Sequence, residues 1–341
     1  MSERRTKLFS WTVPVLLVAV LIGISECALR AFAPIHLTGI QSAYEYDEEL
    51  GYRLKPATHQ YLLTDHLEEI RTGKLGNVGF EDDFSRYPTL VFALGDSYTQ
   101  GTGNSSDTSY PFQLDMLLNQ DERGFYSERF GIVNLGLAAF GTEQSLRAAR
   151  RYADIVGKPR YLLYLGCDND FDDDELFRSG SRHNHLVTGS PTWGRWVEPI
   201  LWLSGFEVTK RAKLALAQFR DARRAAKANA AASPDVRNQS VAERVWPTLA
   251  QIVALADEWD AKIVVSWANP DSPSYAWLRT KAAEEGIPFA DWAPRMRSVQ
   301  ERMPDLPYAN PHSSGHWRPW TNGVIAESYA REMGVWPSSS R

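Results

Sequence analysis

The sequence has very little cysteine, no excess of positive charge and only one long hydrophobic run. Its two cysteines in 341 residues, Cys27 and Cys167, cannot form a disulfide-stapled scaffold or a zinc site with paired CxxC motifs. The formal net charge of −5 excludes a chain that binds nucleic acid through overall positive charge. Hydrophobic residues make up 43% and charged residues 23% of the chain, which excludes a disordered protein and predicts a globular one.

The hydrophobic run lies at the N-terminus, from residue 9 to about residue 27. As a helix it would span roughly 28 Å, close to the thickness of a bilayer core. Three basic residues precede it: Arg4, Arg5 and Lys7. By the positive-inside rule, we expect a cytoplasmic tail over residues 1–8 and a single-pass transmembrane anchor over 9–32 in the cytoplasmic (inner) membrane. The rest of the chain is then extracytoplasmic, in a periplasm-like compartment.

Two other fates of this segment fit the residues less well. Residues 31–33 have the small-x-small pattern of a signal-peptidase site, but Pro34 follows them directly. Cys27 is a candidate lipoprotein cysteine, but Glu26 is a poor residue before it. An uncleaved anchor, which contacts the membrane through its N-terminal helix, is therefore the favoured interpretation.

Beyond the anchor, apolar runs alternate with helical patterns. Glycine and proline interrupt residues 33–87 repeatedly, so we expect an irregular lead segment there. Four apolar runs of strand length follow, at 90–94, 132–135, 161–165 and 263–267. Because these runs do not alternate in polarity, both faces of the sheet are covered. The sequence predicts an α/β fold over residues 88–335, a three-layer α/β/α sandwich with a parallel sheet.

Residues 171–239 interrupt the alternation of strand and helix patterns and are predicted to be an insertion. They begin with an acidic run, continue through a tryptophan-rich stretch and end in a basic, alanine-rich helix. The alternate carboxylates Asp168, Asp170 and Asp172 resemble part of a calcium loop, but the loop lacks the glycine and the glutamate of such a site. We therefore expect no metal ion here.

Three of the predicted strands end in a glycine, at Gly95, Gly136 and Gly166. In parallel sheets, ligands bind outside the carboxyl ends of the strands, so these residues are candidates for chemistry. After the first strand, Gly95-Asp96-Ser97 places a serine at a strand-to-helix turn, a position that suits a nucleophile in acyl transfer. Gly136 follows the second strand, and a glycine there lets a backbone N–H approach a ligand closely.

The third strand and the C-terminal region supply the remaining candidates. Asn169 follows the third strand, and its side-chain amide can complete an oxyanion hole, where one donor is worth about 3–4 kcal/mol in the transition state. His316 can fold back to Ser97 as a general base, with His312 as a nearby competitor.

Together, these four blocks resemble the SGNH (GDSL-type) hydrolase superfamily, in its membrane-anchored bacterial form. Ser97 matches the nucleophile of that family and His316 its base, while Gly136 and Asn169 match its oxyanion residues. The resemblance implies the SGNH variant of the flavodoxin-like sandwich. It also implies an oxyanion hole formed by the N–H groups of Ser97 and Gly136 and the side chain of Asn169. Such a mechanism needs neither a metal nor an organic cofactor.

One position departs from the family pattern. The family's aspartate lies three residues before the histidine, where this chain has Ser313. A backbone carbonyl or Ser313 can hold the imidazole in a Ser97–His316 dyad, or another carboxylate, Asp305 or Asp291, can reach it. The third possibility is a weakly active site with a binding role.

The resemblance implies a serine esterase that hydrolyses carboxylic esters, with acetyl or other short acyl groups. Its expected substrate is an acylated envelope or secreted glycan, or a small ester. A glycan O-acyltransferase with the same site is one alternative, and a non-catalytic glycan-binding or assembly protein is another. Nucleic acid is not an expected partner.

Overall fold

A computed structural model describes residues 2–32, 43–63, 67–120, 129–179, 206–209, 211, 240–310 and 315–335. The chain divides into two compact units. The smaller unit comprises residues 1–39 and 193–232, and the larger comprises residues 40–192 and 233–341. The candidate site lies in the larger unit.

The smaller unit contains the apolar helix α1, over Ser2–Phe32. Its stretch Thr12–Phe32 has a mean hydropathy of 2.2 and is long and apolar enough to cross a membrane, a test that a signal sequence also passes. Near the end of α1, Glu26 accepts the backbone N–H groups of Glu207 at 3.0 Å and Val208 at 3.1 Å. Its carboxylate therefore caps the helical residues that begin at Glu207. The predicted apolar N-terminal helix is confirmed, and its orientation in a membrane stays a prediction.

The lead segment of the larger unit is more regular than expected. It forms two antiparallel hairpins, in which β1 (Tyr44–Asp47) pairs with β2 (Gly51–Leu54) and β3 (His59–Leu63) pairs with β4 (Leu67–Arg71). Tyr44 and Tyr52 are buried in a hydrophobic cluster with Phe140. The expectation of irregular structure was wrong for residues 44–71. The cluster that holds β1 and β2 forms between distant parts of the chain, and the glycine and proline pattern does not reveal it.

The core of the larger unit is a parallel sheet of four strands. These are β5 (Thr89–Gly95), β6 (Phe130–Asn134), β7 (Tyr161–Gly166) and β8 (Lys262–Trp267). Their order in the sheet is β6-β5-β7-β8. Leu162–Leu165 and Val91–Leu94 are fully buried, as strands covered on both faces must be. After β8, Phe289 forms a single parallel bridge with Val265 of that strand.

Helices cover both faces of this sheet, which confirms the predicted three-layer α/β/α arrangement. They are α2 (Ser97–Gln100), α3 (Tyr110–Asn119), α4 (Thr142–Val156), α5 (Asp170–Arg178), α6 (Val241–Glu258), α7 (Pro273–Glu284), α8 (Ala293–Arg302) and α9 (Pro319–Met333). On one face α3 packs against α9, with Tyr110 stacked on Tyr329 at 5.3 Å between ring centroids. On the other face α4 packs against α6. Helix α8 was not predicted, because its exposed surface is strongly polar and only Ala293 and Met296 are buried.

A buried carboxylate joins α5 to the start of α4. Asp174 is 1% exposed and accepts the backbone N–H of Glu143 at 2.8 Å. Burial raises the pKa of Asp174 to about 6. The folded protein therefore binds this proton more tightly than the unfolded chain does, and the stabilising effect of protonation is lost as the pH rises from about 4 to about 6.

Asp174→Asn keeps the acceptor for Glu143 but removes the titration. Relative to this variant, we expect the wild-type free energy of unfolding to fall by about 3 kcal/mol between pH 4 and pH 7. Urea unfolding at several pH values measures this difference. Asp154→Asn, at an exposed position of α4, controls for the loss of one negative charge. A stability difference between wild type and Asp174→Asn that does not vary with pH would contradict the assignment.

Candidate active site

Ser97 begins the short helix α2 directly after β5. Gly95 makes this turn possible, because its φ is +148° and a Cβ there would lie 2.5 Å from the carbonyl oxygen of Leu165. The side chain of Asp96 accepts the backbone N–H of Tyr98 at 2.9 Å and caps α2. Ser97 is consequently held at the carboxyl edge of the sheet, with 9% of its surface exposed.

His316 reaches Ser97 from the segment that precedes α9. Its Nε2 lies 2.7 Å from Ser97 Oγ, within hydrogen-bond distance. The ring of Tyr98 packs on the imidazole, with the ring centroids 4.7 Å apart. The structure thus brings the predicted nucleophile and the predicted base into direct contact, although they lie 219 positions apart in the chain.

The residue after the histidine anchors this segment. Trp317 is 2% exposed, and its carbonyl oxygen accepts the side-chain amides of Asn104 at 2.8 Å and Asn310 at 3.0 Å. A second bond from Asn310, at 2.6 Å to the carbonyl oxygen of Gly103, ties the same segment to the loop after α2. The position of His316 is therefore fixed from the side of the nucleophile as well as from α9.

Gly136 packs against α2. A Cβ at this position would lie 2.5 Å from the backbone nitrogen of Gln100. The Gly136 N–H donates to Asn134 Oδ1 at 3.0 Å, and Asn134 Nδ2 donates to the carbonyl oxygen of Thr99 at 2.9 Å. The visible role of the glycine is close packing, and its predicted use as an oxyanion donor requires the N–H to leave Asn134.

Asn169 lies in the loop between β7 and α5. Its Nδ2 donates to Asp173 Oδ2 at 2.5 Å. An amide nitrogen carries two hydrogens, so this contact leaves the second hydrogen able to donate to a ligand. The predicted oxyanion role of Asn169 is compatible with this arrangement.

The carboxylates of Asp168 and Asp170, on either side of Asn169, accept hydrogen bonds from different parts of the protein. Asp168 accepts Trp267 Nε1–H at 2.9 Å and the amide of Asn269 at 3.1 Å. Asp170 instead accepts the hydroxyl of Tyr164 at 2.7 Å, in the buried core. Within the described part of the chain, no group of three or more His, Cys, Asp or Glu side chains is arranged to hold a metal ion.

A buried acidic cluster lies beneath the nucleophile. It consists of Asp96, Cys167 and Asp170, which are 0%, 7% and 2% exposed. Burial raises the pKa of all three groups, and the charge of Asp96 contributes to the increase for Cys167 and Asp170. Cys167 is therefore a neutral thiol. Sequence reasoning did not select Asp96, although its place directly before Ser97 was the available signal.

The residues proposed to orient the histidine differ in their hydrogen-bond partners and in their exposure. Asp291 accepts the hydroxyl of Tyr275 at 2.7 Å, and its other oxygen lies 3.3 Å from Arg279. Asp305 is exposed in the segment after α8. Ser313, together with the competitor His312, lies outside the described residues. The orientation of the imidazole by any of these groups stays a prediction.

A cavity of about 560 Å³ lies between residues 77–87, α3 and β6. Its walls include Phe80, Phe112 and Ile132. Asn134 lines it and also holds α2, but neither Ser97 nor His316 contributes to its surface. The cavity is therefore adjacent to the candidate site and separate from it.

No family model matches the chain, and no curated protein matches it. Solved structures do match. A member of the lipolytic protein G-D-S-L family from Veillonella parvula is 11% identical, with 71% of this chain and 97% of that chain covered and a TM-score of 0.40. The psychrotrophic esterase EstA from Pseudoalteromonas is 10% identical, with 73% and 98% covered and a TM-score of 0.40. Similarity at this level carries no argument about the reaction, which has to come from the site itself.

The packing of Gly136 against α2 gives a direct test of the site geometry. In Gly136→Ala, the new methyl group has to displace the backbone at Gln100, and Ser97 moves with it. We expect labelling of Ser97 by a fluorophosphonate, which phosphonylates activated serines, to slow by about 10²-fold. The rate of probe incorporation into the purified full-length chain measures this.

Gly323→Ala in α9 is the matched control for Gly136→Ala. Its new methyl group would meet only the end of the Gln113 side chain, which can move aside. Equal labelling rates for Gly136→Ala and Gly323→Ala would show that the close packing at Gly136 does not position the serine.

Proposed function

We propose that this chain is a serine ester hydrolase in which Ser97 is the nucleophile and His316 its base. The observation that carries the proposal is the 2.7 Å contact between Ser97 Oγ and His316 Nε2. A serine hydroxyl is a weak nucleophile until an adjacent base accepts its proton. The pair lies at the carboxyl edge of a parallel sheet, where such folds bind their ligands.

The reaction proceeds in two steps. Ser97 Oγ forms a bond to the ester carbonyl carbon while its proton passes to His316 Nε2, and the carbonyl electron pair moves to the carbonyl oxygen. When the carbonyl re-forms, the bond to the alcohol oxygen breaks and His316 donates its proton to the leaving alkoxide. A water molecule then attacks the carbonyl carbon of the acyl-enzyme while His316 accepts its proton. The bond between the acyl carbon and Ser97 Oγ breaks, His316 returns the proton to Oγ, and the acid is released.

Three groups are proposed to stabilise the oxyanion. They are the backbone N–H of Ser97, at the start of α2, the N–H of Gly136 and the side-chain amide of Asn169. The N–H of Gly136 currently donates to Asn134, so the developing charge has to compete with that acceptor, whereas Asn169 has a second amide hydrogen besides the one that donates to Asp173. An oxyanion is a stronger acceptor than a neutral amide oxygen, which favours the exchange at Gly136.

We propose a short acyl ester of a hydroxyl-rich molecule, such as an acetylated glycan of the cell envelope or a secreted one, as the substrate. The small exposed fraction of Ser97 supports a short acyl group, because a long chain needs an open groove at the nucleophile. The exposed carboxylate of Asp168, with Asn269 beside it, offers hydrogen-bond partners of the kind that sugar hydroxyls need.

The proposed location is the outer side of the cytoplasmic membrane. The span Thr12–Phe32 supports an anchor by its length and apolar composition. The three basic residues before it support a cytoplasmic N-terminus. In this arrangement the ester hydrolase domain faces the periplasm or the cell exterior, where envelope glycans lie.

The decisive experiment for the hydrolase uses the purified full-length chain in detergent. A fluorophosphonate probe should form an adduct on Ser97, located by mass spectrometry of the digested protein. Ser97→Ala should abolish the adduct and the hydrolysis of a short-chain aryl ester. His316→Ala should slow both by at least about 10³-fold, because the base of the nucleophile is lost. Retained ester turnover in Ser97→Ala would exclude this mechanism, and a folded wild-type chain without an adduct would favour a binding role.

One observation favours a second use of the same site. Ser97 is 9% exposed, which limits the access of bulk water to the nucleophile and lets a bound alcohol compete with water. A glycan O-acyltransferase would exploit this shielding. If the chain is a transferase, then adding a glycan acceptor at millimolar concentration should divert most of the acyl group to the acceptor, as measured by mass spectrometry of the products. Free acid as the main product at every acceptor concentration would identify a hydrolase.

A further inference from the structure

Ser97 Oγ lies between two side chains that can each bond to it. His316 Nε2 is 2.7 Å away, and Asp96 Oδ2 is 3.2 Å away. The hydroxyl has one proton, so it donates to one of these acceptors at a time, and the shorter contact is to the imidazole. Because Oγ separates them by these two short distances, Asp96 Oδ2 lies within about 6 Å of His316 Nε2.

Capping alone does not account for an aspartate at this position. Asp96 Oδ1 accepts the N–H of Tyr98, and serine, threonine or asparagine would provide that acceptor equally well. Asp96 is 0% exposed, and burying a carboxylate is costly unless a compensating group is near. The second oxygen of this carboxylate is directed at the nucleophile instead of at solvent.

The proposed reaction creates a charge that needs compensation. When His316 accepts the proton of Ser97, a partly buried imidazolium forms beside the sheet edge. A nearby carboxylate stabilises such a cation, and the usual family position for one is occupied by Ser313.

We propose that Asp96 supplies this negative charge to His316 from across the serine hydroxyl, as a positioning residue of the esterase. The inference rests on the function proposed above. In the step it assists, the Ser97 O–H bond breaks, its proton goes to Nε2 and the Oγ–carbon bond forms. Asp96 gains no proton and stays ionised throughout. Its oxygen is fixed by the cap of α2, so no reorganisation is needed as the imidazolium develops.

The neighbours of Asp96 are consistent with a charged group there. Burial raises the pKa of Asp96, and the positive charge of His316 opposes this increase. Burial raises the pKa of Asp170 well above its usual range, and the charge of Asp96 adds to this effect. The pKa of Asp170 is raised further than that of Asp96, which favours a negative charge on Asp96 over one on Asp170.

The other titratable groups that face Asp96 carry no competing charge. The thiol of Cys167 bonds to Asp96, which lowers the pKa of the aspartate, while burial keeps the thiol protonated. Burial also raises the pKa values of Tyr98, on α2, and Tyr110, on α3, and the Asp96 charge adds to both increases. His316 is therefore the partner whose charge Asp96 can balance.

The first test compares two aspartate variants in the full-length chain. Asp96→Asn keeps the shape and the acceptor for Tyr98 but removes the charge. We expect its kcat to fall by about 10²-fold with KM within a factor of two, and labelling of Ser97 by the fluorophosphonate to slow by a similar factor. Asp174→Asn, which also neutralises a buried helix-capping carboxyl group, is the matched control. Wild-type turnover in Asp96→Asn would overturn the proposal.

The second test needs no substrate and does not depend on the folding of Asp96→Asn. Carboxyl-carbon NMR follows the titration of Asp96 in the wild type and in His316→Gln. Since the charge of His316 lowers the pKa of Asp96, its removal should raise that pKa. An Asp96 pKa that is unchanged in His316→Gln would overturn the charge pairing. A raised pKa in a chain that hydrolyses no ester would support the pairing while the proposed function fails, so the two failures can be told apart.

Discussion

The close packing of the α2 turn against the ends of its neighbouring strands is the constraint on which the site depends. Gly95 allows the chain to leave β5 beside the carbonyl oxygen of Leu165, and Gly136 allows the backbone after β6 to touch Gln100. The amide of Asn134 ties the carbonyl oxygen of Thr99 to the same edge. A helix of four residues has little stability of its own, so its geometry is imposed by these contacts. Glycine is required at two strand ends because backbone occupies the space that a side chain would need.

Much of the fold could be predicted because it depends on local sequence patterns. Apolar runs that do not alternate with polar residues predicted all four strands of the sheet. A glycine indicated the carboxyl end of β5 and of β7. The hairpins of the lead segment could not be found in this way, because Tyr44 and Tyr52 are buried against Phe140, which lies about ninety residues further along the chain. Helix α8 was missed for the opposite reason, since it buries too few side chains to leave an apolar pattern.

The candidate site, like the fold, could be predicted only in part from local sequence patterns. Residue type and position after a strand were sufficient to select Ser97 and His316, which the structure brings into contact. They were not sufficient to show that the N–H of Gly136 is already bonded or that Asp96 is buried beside the nucleophile. Both facts depend on which groups lie close together after the chain has folded. Burial converts an ordinary turn residue, Asp96, into a charge with a specific partner, because a charge in a dry environment interacts more strongly with its neighbours.

Glu26, near the end of the N-terminal helix, accepts hydrogen bonds from the backbone N–H groups of Glu207 and Val208. The N-terminal helix therefore stabilises a segment that is distant from it in the chain. A protease that removed the first 33 residues would also remove the acceptor for two amide hydrogens in the first turn at Glu207. Those hydrogens would then need water or another side chain as a partner. In this sense α1 is a structural partner for the region around residue 207. We therefore expect the stability of that region to differ between a chain that keeps residues 1–33 and one from which they have been cleaved.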